Sequence, residues 1–289
     1  ETNGGTAHRK RPHGTGTVDC LHPTNKRRAL QENQEVGGRK QVALSLSFSQ
    51  ISTYLECPYR YYLSYIIKLP GLPKPYFSFG SSIHSALEKL HKPRLIPEKS
   101  SLSQLVTWYE ESWVSDGYAD IETETKAKEE GKALLVSYFE KYGQSIVPAV
   151  DVEKRFKLMM GEITINGVID RIDRGEDDKL RIIDYKTGNY IPIELGPAEK
   201  LQLTIYTMAV GSIYQNRVEK ATYLYLKSSV EMSFVPSDDD LASAINTIET
   251  VASQIKEGIF PRCKNKFCPW CDYYQSCNKT SVIHVKEGF

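Results

Sequence analysis

The chain has 289 residues with 37 basic and 36 acidic side chains, so its formal net charge is +1 at pH 7. This length is sufficient for one large domain or two modest ones. The balanced charge means that any surface for a polyanion must be local. The sequence shows neither a membrane-spanning run of apolar residues nor a signal-peptide core. We therefore expect an intracellular protein with no membrane partner.

The first 42 residues are rich in glycine, asparagine, threonine, glutamine and basic side chains, without a hydrophobic period. Such a composition is typical of chains that form no packed core, so residues 1–42 are predicted to be a disordered basic tail or linker. Cys20 lies in this segment and receives no role. Residues 43–280 are predicted to form one domain. We divide it into a helical part at about 47–145, a core at about 149–257 and a cysteine-rich region at 261–277.

The helical part begins with a capping box. Ser47 is followed three residues later by Gln50, a pattern that opens a helix. Pro58 suits the first turn of a second helix, which runs to about residue 67. A third helix is predicted at 77–91, where His84 lies beside an apolar stripe of period 3.6. Two further amphipathic helices are predicted at about 102–114 and 122–142.

The core contains a predicted hairpin. Two β-branched runs, 167–173 and 180–188, are separated by a polar turn. Because the side chains of a strand alternate between its two faces, Asp184 and Lys186 point to one side and the residue between them to the other. Asp170 lies near the end of the partner strand. It can therefore face Asp184 across the pair.

A strand at 152–156 and the long run from residue 162 predict an antiparallel meander of three strands. Glu153, in the first of these strands, is expected to face solvent or to support the site indirectly. A helix at 198–210 follows, with Gln202 and Tyr206 on one face. The remaining predicted elements are a strand at 220–226, a sheet extension at 233–235 and a helix at 238–256. The resulting order, β-β-β-α-β-α, predicts an α/β (α+β) fold with a mixed central sheet flanked by helices.

The hairpin collects residue types that suit metal-dependent hydrolysis. Asp170 and Asp184 would repel each other at one point of a sheet, and a hard divalent cation such as Mg2+ relieves that repulsion by binding oxygen ligands. Such an ion activates water, and Lys186 beside it could orient that water or offset developing charge. Taken alone, the same pattern also fits a polar hairpin whose side chains are solvated or paired.

The cysteines indicate a second metal centre. Cys268 and Cys271 have the spacing of ligands to one metal or cluster, and Cys277 follows after one turn. Either Cys263 or Cys57 could supply the fourth ligand. The spacing alone leaves a zinc ion and an iron–sulfur cluster equally open.

Together these residues resemble the RecB-type branch of the PD-(D/E)XK nuclease superfamily. They are most similar to the members that carry an iron–sulfur cluster: the nuclease domain of AddB, exonuclease V proteins, CRISPR-associated nucleases of this branch and nuclease modules of UvrD-like helicases. The resemblance runs from about Leu44 to Cys277. The motif positions of the family fall on His84, Asp170, Asp184, Lys186, Gln202 and Tyr206.

The resemblance implies a restriction-endonuclease-like core with a helical insertion, acting as a metal-dependent DNA nuclease in repair or recombination. We expect an exonuclease on single-stranded ends, because a cleft covered by a helical insertion would thread a single strand more easily than a duplex. It implies that Lys186 activates the attacking water and that Gln202 and Tyr206 position the strand or support this lysine. The implied ligands of Mg2+ or Mn2+ are His84, Asp170, Asp184 and the carbonyl group of Tyr185. Further expectations, for phosphate contacts, fall on Arg60, Arg171, Arg174 and Lys200.

The resemblance also implies which cysteines bind metal and what they bind. In the family, one early cysteine joins three late ones to hold a [4Fe-4S] cluster, a pattern that falls on Cys57, Cys268, Cys271 and Cys277. Cys263 then becomes a packing residue nearby. The cluster would close a loop of about 200 residues and would act as a structural staple.

A helicase is the implied partner, either as a separate protein or fused to the same chain. We expect a cytoplasmic or nucleoid-associated protein, either free-standing or part of a longer helicase–nuclease. One alternative is a non-catalytic iron–sulfur module that binds nucleic acid and docks on a helicase. Another is a scaffold stabilised by zinc.

Overall fold

The computed structural model describes residues 43–92, 101–143 and 148–279. The predicted basic tail, 1–42, therefore lies outside the described residues. Within them, a mixed six-stranded sheet has helices against both faces, which confirms the predicted fold class. None of the helices in this part of the chain is long and apolar enough to span a bilayer.

The strands of the described residues form one sheet, in the order β1-β3-β4-β5-β6 with β2 on the other edge of β3. The predicted meander is confirmed, because β2, β3 and β4 pair antiparallel. β1 is parallel to β3, and β4 is parallel to β5. The strands are β1 (Leu44–Ser47), β2 (Asp151–Met160), β3 (Ile163–Arg174), β4 (Leu180–Lys186), β5 (Val218–Tyr225) and β6 (Val230–Phe234).

The helices match the sequence pattern closely. Ser47 and Gln50 form both bonds of the capping box that begins α1, at 3.2 and 2.8 Å. Pro58 opens α2, which continues into a π-helical turn at Tyr62–Ile66. The helices are α1 (Phe48–Glu56), α2 (Pro58–Tyr61), α3 (Pro75–His91), α4 (Leu102–Glu111), α5 (Ile121–Tyr142), α6 (Pro197–Tyr214), α7 (Asp238–Lys256) and α8 (Tyr274–Lys279).

The sheet separates two apolar cores. The first packs α1, α6 and α7 against one face and includes Ile51, Ile182, Ile205 and Ile248. The second packs α3, α4 and α5 against the other face and includes Leu87, Leu105, Leu135, Tyr185 and Leu224. Ile182 and Tyr185 of β4 thus belong to opposite cores, as the alternation of a strand requires.

A fork in the sheet defines the position of the site. β2 pairs with residues 163–172 and so occupies one edge of β3. On the other edge, β1 pairs with residues 163–166 and β4 with residues 171–174. The edge between these two segments has no strand partner among the described residues. Asp170 lies at the end of this gap, where β4 leaves β3.

Candidate active site

Three ligand-bearing side chains meet at the fork. One ligand atom from each of His84, Glu153 and Asp170 lies within 4.8 Å of the other two. Nδ1 of His84 is 3.4 Å from Oδ1 of Asp170. The histidine comes from α3, and the two carboxylates come from the paired strands β2 and β3. The structure therefore brings together two of the residues selected from the sequence and adds a third.

Glu153 lies closer to the site than the sequence analysis expected. Its neighbours Val152 and Lys154 pair with Arg171 and Ile169, which places Glu153 opposite Asp170. Its φ of 45° lies in the left-handed region, where a regular strand residue would not be. Period-two reasoning could not find it for that reason. Only its register against Asp170 in the meander could have signalled its position.

The charges of this cluster are strongly coupled. Burial of the His84 ring opposes its protonation, but the nearby carboxylates, mainly that of Asp170, outweigh this effect and raise the pKa of His84 to about 9. Burial and the charge of Asp170 raise the pKa of Glu153 to about 7. Crowded carboxylates retain protons in this way when no cation shares the site. A divalent cation would take the place of those protons.

Asp184 and Lys186 lie next to this cluster on the same face of β4. Oδ2 of Asp184 is 2.6 Å from Nζ of Lys186. Burial and the neighbouring Asp170 raise the pKa of Asp184, and the Lys186 ammonium group counteracts them. The shared direction of Asp184 and Lys186, predicted from strand alternation, is confirmed.

Helix α6 closes the other side of the site. Gln202 accepts a hydrogen bond from Lys186 and donates one to Asp184, both at 3.4 Å, and donates another to the Tyr206 hydroxyl group at 2.9 Å. Tyr223 of β5 donates to Oε1 of Gln202 at 2.6 Å, and its ring lies 4.3 Å from Nζ of Lys186. Sequence reasoning missed Tyr223, because a tyrosine in a buried strand carries no local signal of its contacts.

The backbone of β4 also contacts the cluster. The N–H group of Tyr185 donates to Oδ2 of Asp170 at 2.7 Å. The side chain of Tyr185 points to the opposite face and enters the second core. The proposal that the Tyr185 carbonyl group is a metal ligand stays a prediction.

The chain matches a known protein family. The profile of a family described as the PD-(D/E)XK nuclease superfamily matches residues 45–278. The chain belongs to the PD-(D/E)XK nuclease superfamily. The resemblance inferred from the sequence is thereby confirmed at the level of the superfamily.

Two similar proteins are named as subunits of an ATP-dependent helicase/deoxyribonuclease. They come from Streptococcus pyogenes serotype M49 (strain NZ131) and serotype M1 and are 28% and 29% identical to this chain over 213 residues. The matches cover 67% of this chain and 19% of each relative, so the chain spans about a fifth of their length. The crystal structure of a "Putative exonuclease" from Eubacterium rectale is similar with a TM-score of 0.52 and 13% identity, covering 88% of this chain and 97% of that chain. This likeness supports the same fold.

Arg171 of this PD-(D/E)XK nuclease domain does not hold the position expected of a phosphate contact. Its guanidinium group lies on the opposite face from Asp170, paired with Asp173 and hydrogen-bonded to His91 Nε2 at 3.0 Å. Its side chain is only 15% exposed. The expectation is corrected because neighbouring residues of a strand point to opposite faces.

The other three basic residues have partners elsewhere. Arg60 pairs with Glu56 at 2.8 Å and lines the cavity between the cysteines. Arg174 pairs with Asp178 at 2.9 Å, four residues along β3 from the fork. The ammonium group of Lys200 lies 5.7 Å from the Phe234 ring centre. A role in phosphate binding remains a prediction for Arg60, Arg174 and Lys200.

The nuclease domain gathers four free cysteines at its second candidate site. Cys57, Cys268, Cys271 and Cys277 line a cavity of about 420 Å³. Two hydrogen bonds join the distant segments: Tyr59 N–H donates to the Pro261 carbonyl group at 3.2 Å, and the Asn265 side chain donates to the Glu56 carbonyl group at 3.1 Å. Residues about 200 positions apart in the chain therefore meet at one cavity.

The cysteine sulfurs are spaced more widely than the ligands of a bound zinc ion. Among the residues that the structure describes, no three cysteine sulfurs lie within 4.8 Å of one another. A tetrahedral zinc ion with Zn–S distances of about 2.3 Å needs sulfurs about 3.8 Å apart. Cys263 also lines the cavity and is buried, but it is not among the free cysteines.

Proposed function

We propose that this domain is a metal-dependent DNA nuclease that acts as an exonuclease on single-stranded ends in repair or recombination. The observation that carries the proposal is the convergence of His84, Glu153 and Asp170 within 4.8 Å, beside the Asp184–Lys186 pair. Superfamily membership and relatives named as deoxyribonuclease subunits support it.

His84, Glu153, Asp170 and Asp184 would hold Mg2+ or Mn2+. Carboxylate oxygens suit both ions, and the imidazole nitrogen favours Mn2+ more than Mg2+. A bound ion of this kind polarises the phosphodiester and makes water a stronger nucleophile. The raised pKa values of His84 and Glu153 support this assignment, because burial at Glu153 and the charge of Asp170 make both groups hold protons that a divalent cation would replace.

Lys186 would orient the attacking water and offset the charge that develops on the phosphate. Its ammonium group is held by Asp184 at 2.6 Å, contacts Gln202 at 3.4 Å and lies over the Tyr223 ring. Three contacts restrict a side chain that would otherwise be flexible. Gln202 and Tyr206 act as the supports of this lysine, through the 2.9 Å bond between them.

The four cysteines would hold a [4Fe-4S] cluster. Cys57, Cys268, Cys271 and Cys277 supply the thiolate donors that such clusters take, and all four line one cavity. They lie away from the fork, so the cluster would act on stability and not on the reaction. Its ligands connect the start of the domain to its last helix.

We also propose that the domain works with a helicase, because its relatives are named as helicase/deoxyribonuclease subunits and it spans 19% of their length. A non-catalytic module that docks on a helicase remains the alternative. The presence of Asp170, Asp184 and Lys186 in one contacting set disfavours it.

The decisive test is cleavage of end-labelled single-stranded and duplex DNA by anaerobically purified protein with Mg2+ or Mn2+. Lys186→Met should abolish cleavage and keep DNA binding, whereas Lys157→Met, at an exposed position of β2, should cleave like the parent protein. The product ladder reports exonuclease action and polarity. A parent protein that binds DNA but cleaves with neither ion, or a Lys186→Met variant that cleaves normally, would favour the docking module.

A further inference from the structure

An exposed aromatic side chain stands on the helix that carries His84. Phe77, in the first turn of α3, is 66% exposed. The Phe77 ring lies 4.5 Å from the ring of Tyr76, centre to centre, and Tyr76 is itself 46% exposed. The two rings form an exposed aromatic patch, and such patches are candidate binding surfaces.

Phe77 and His84 share one face of α3. They are seven residues apart, which corresponds to two turns and a distance of about 10 Å along the helix axis. Gly80 and Ser81 lie between them on this face, and neither has a bulky side chain. A side-chain carbon on Gly80 would come within 3.4 Å of the Thr187 hydroxyl group, directly after Lys186. The loop after β4 therefore lies against Gly80, and the exposed Ser81 marks the path along α3 from Phe77 to the candidate metal ligands.

The backbone around Phe77 is fixed. Ser78 is buried, and its hydroxyl group donates to the Asp116 carbonyl group at 2.8 Å. Lys74, the residue before α3, pairs with Asp272 at 2.6 Å. Pro75 occupies the first helical position, where its fixed φ suits the turn. The ring therefore projects from a rigid support, which lowers the entropy cost of binding a partner to it.

We propose that Phe77 is a stacking platform for an unpaired base of the strand whose phosphodiester lies at the His84–Glu153–Asp170 site. This inference rests on the proposed nuclease function and adds a residue that recognises the single strand. A separation of about 10 Å corresponds to about three stacked nucleotides. Bases of a single strand expose the π-face that an aromatic ring binds, whereas bases inside a duplex are already stacked on each other. The platform gives a physical reason for a preference for single-stranded ends.

A protein partner is the competing occupant of this surface, because Leu72 is also 74% exposed nearby in the chain. The position of Phe77 on the His84 face of α3 favours nucleic acid. The two occupants differ in what they require from the side chain. Base stacking needs an aromatic ring, whereas apolar docking needs only apolar area.

The test measures affinity for a single-stranded oligonucleotide in the presence of Mn2+. Each variant carries Lys186→Met, so that cleavage does not interfere. Phe77→Leu should weaken binding by about 5- to 100-fold, and Phe77→Trp should bind within about twofold of the parent. Leu72→Ala should leave the affinity unchanged, and a blunt duplex should bind Phe77→Leu and the parent equally. Thermal unfolding should show that these exposed substitutions leave the fold intact.

Unchanged single-strand affinity in Phe77→Leu would overturn the platform while leaving the nuclease proposal in place. So would an equal loss in Leu72→Ala, which would identify a general apolar surface. Absence of both DNA binding and cleavage in the protein without substitutions would instead overturn the proposed function, and the platform with it.

Discussion

The backbone N–H group of Tyr185 donates a hydrogen bond of 2.7 Å to Oδ2 of Asp170. In a continuous antiparallel pair such a group would bond to a carbonyl group of β3, but β4 leaves β3 at this point. The carboxylate takes the place of a ladder bond and fixes the fork. Its other oxygen, Oδ1, faces His84 at 3.4 Å. One side chain thus supports strand pairing and the candidate metal site together.

Asp170→Asn separates these two roles. The amide oxygen can still accept the Tyr185 N–H group, but one negative charge is lost from the ligand set. We expect the melting temperature to stay within about 2 °C of the parent. The affinity for Mn2+, measured by calorimetry, should fall by about tenfold or more, as is typical of disturbed metal sites. The rate of DNA cleavage should fall at least about 100-fold.

Two variants complete this comparison. Asp170→Ala also leaves the Tyr185 N–H group unpaired, so it should lose a further ~1–3 kcal/mol of stability. Asp178→Asn, at an 85% exposed carboxylate in the hairpin turn, should behave like the parent. Normal Mn2+ affinity in Asp170→Asn would show that Asp170 serves the fork alone.

Glu153 should prove to be a metal ligand although its strand pattern predicted otherwise. Glu153→Gln keeps the size of the side chain and removes its charge, so we expect a loss of Mn2+ affinity of about tenfold or more. Glu88→Gln is the matched control. The charge of Glu88 also raises the pKa of Glu153, but Glu88 is not one of the three residues whose ligand atoms meet. Equal effects of the two substitutions would indicate a general electrostatic role, not a ligand.

The sequence predicted those site residues whose positions follow from regular alternation. Asp184 and Lys186 share a face of β4 for this reason, and Asp170 faces them through the hairpin register. Glu153 departs from alternation through its positive φ, a backbone feature that no residue pattern encodes. Arg171 was assigned to phosphate although alternation directs it into a buried network on the opposite face.

For the secondary structure, too, the elements with a clear local pattern were predicted and those that depend on distant contacts were not. Helix α7 was predicted with its observed bounds because its apolar residues repeat with period 3.6. The four residues of β1 were not recognised as a strand, since a run so short shows no clear period. Its parallel pairing with β3 depends on residues about 120 positions away, and only the folded chain brings them together.

Loss of one cysteine ligand should destabilise the domain before it affects the reaction. A cross-link that closes a loop of about 200 residues is worth about 5 kcal/mol of chain entropy. We expect Cys57→Ser, purified anaerobically, to lose iron and labile sulfide and to melt at least about 10 °C lower. Metal analysis and thermal unfolding measure both effects.

The cysteine test also has a matched control within the same region. Asn265→Asp keeps the side-chain oxygen that accepts the Phe267 N–H group at 2.9 Å and removes the donor to the Glu56 carbonyl group. It should retain iron. A colourless parent protein that contains zinc would contradict the cluster and favour the zinc-stabilised scaffold.

A buried histidine behind the sheet makes the fold sensitive to acid. His91 is 1% exposed, and its Nε2 atom lies 2.8 Å from the Tyr138 hydroxyl group and 3.0 Å from the Arg171 guanidinium group. Burial, reinforced by the positive charge of Arg171, lowers the pKa of His91 to about 2. Asp173 pairs with Arg171 in the same network, and among the described residues no carboxylate forms an ion pair with His91.

The sign of the pH effect follows from proton binding. Below a pH of about 6.5 the unfolded chain protonates His91, whereas the folded chain does not until a pH of about 2. The contribution of His91 to stability is therefore present above pH 6.5 and is lost as the pH falls. The loss is about 1.4 kcal/mol per pH unit, or about 2 kcal/mol between pH 6.5 and 5.

His91→Gln removes the titrating group and keeps a hydrogen-bond acceptor toward Arg171. We expect the free energy of unfolding of this variant, measured by urea unfolding, to fall less steeply than that of the parent protein between pH 7 and about pH 5. The difference in slope should correspond to about one proton. Tyr138→Phe removes the 2.8 Å contact with His91 but leaves the imidazole in place, so it should lower stability without flattening the slope. Parallel pH profiles for His91→Gln and the parent would show that His91 is not the acid-sensitive group.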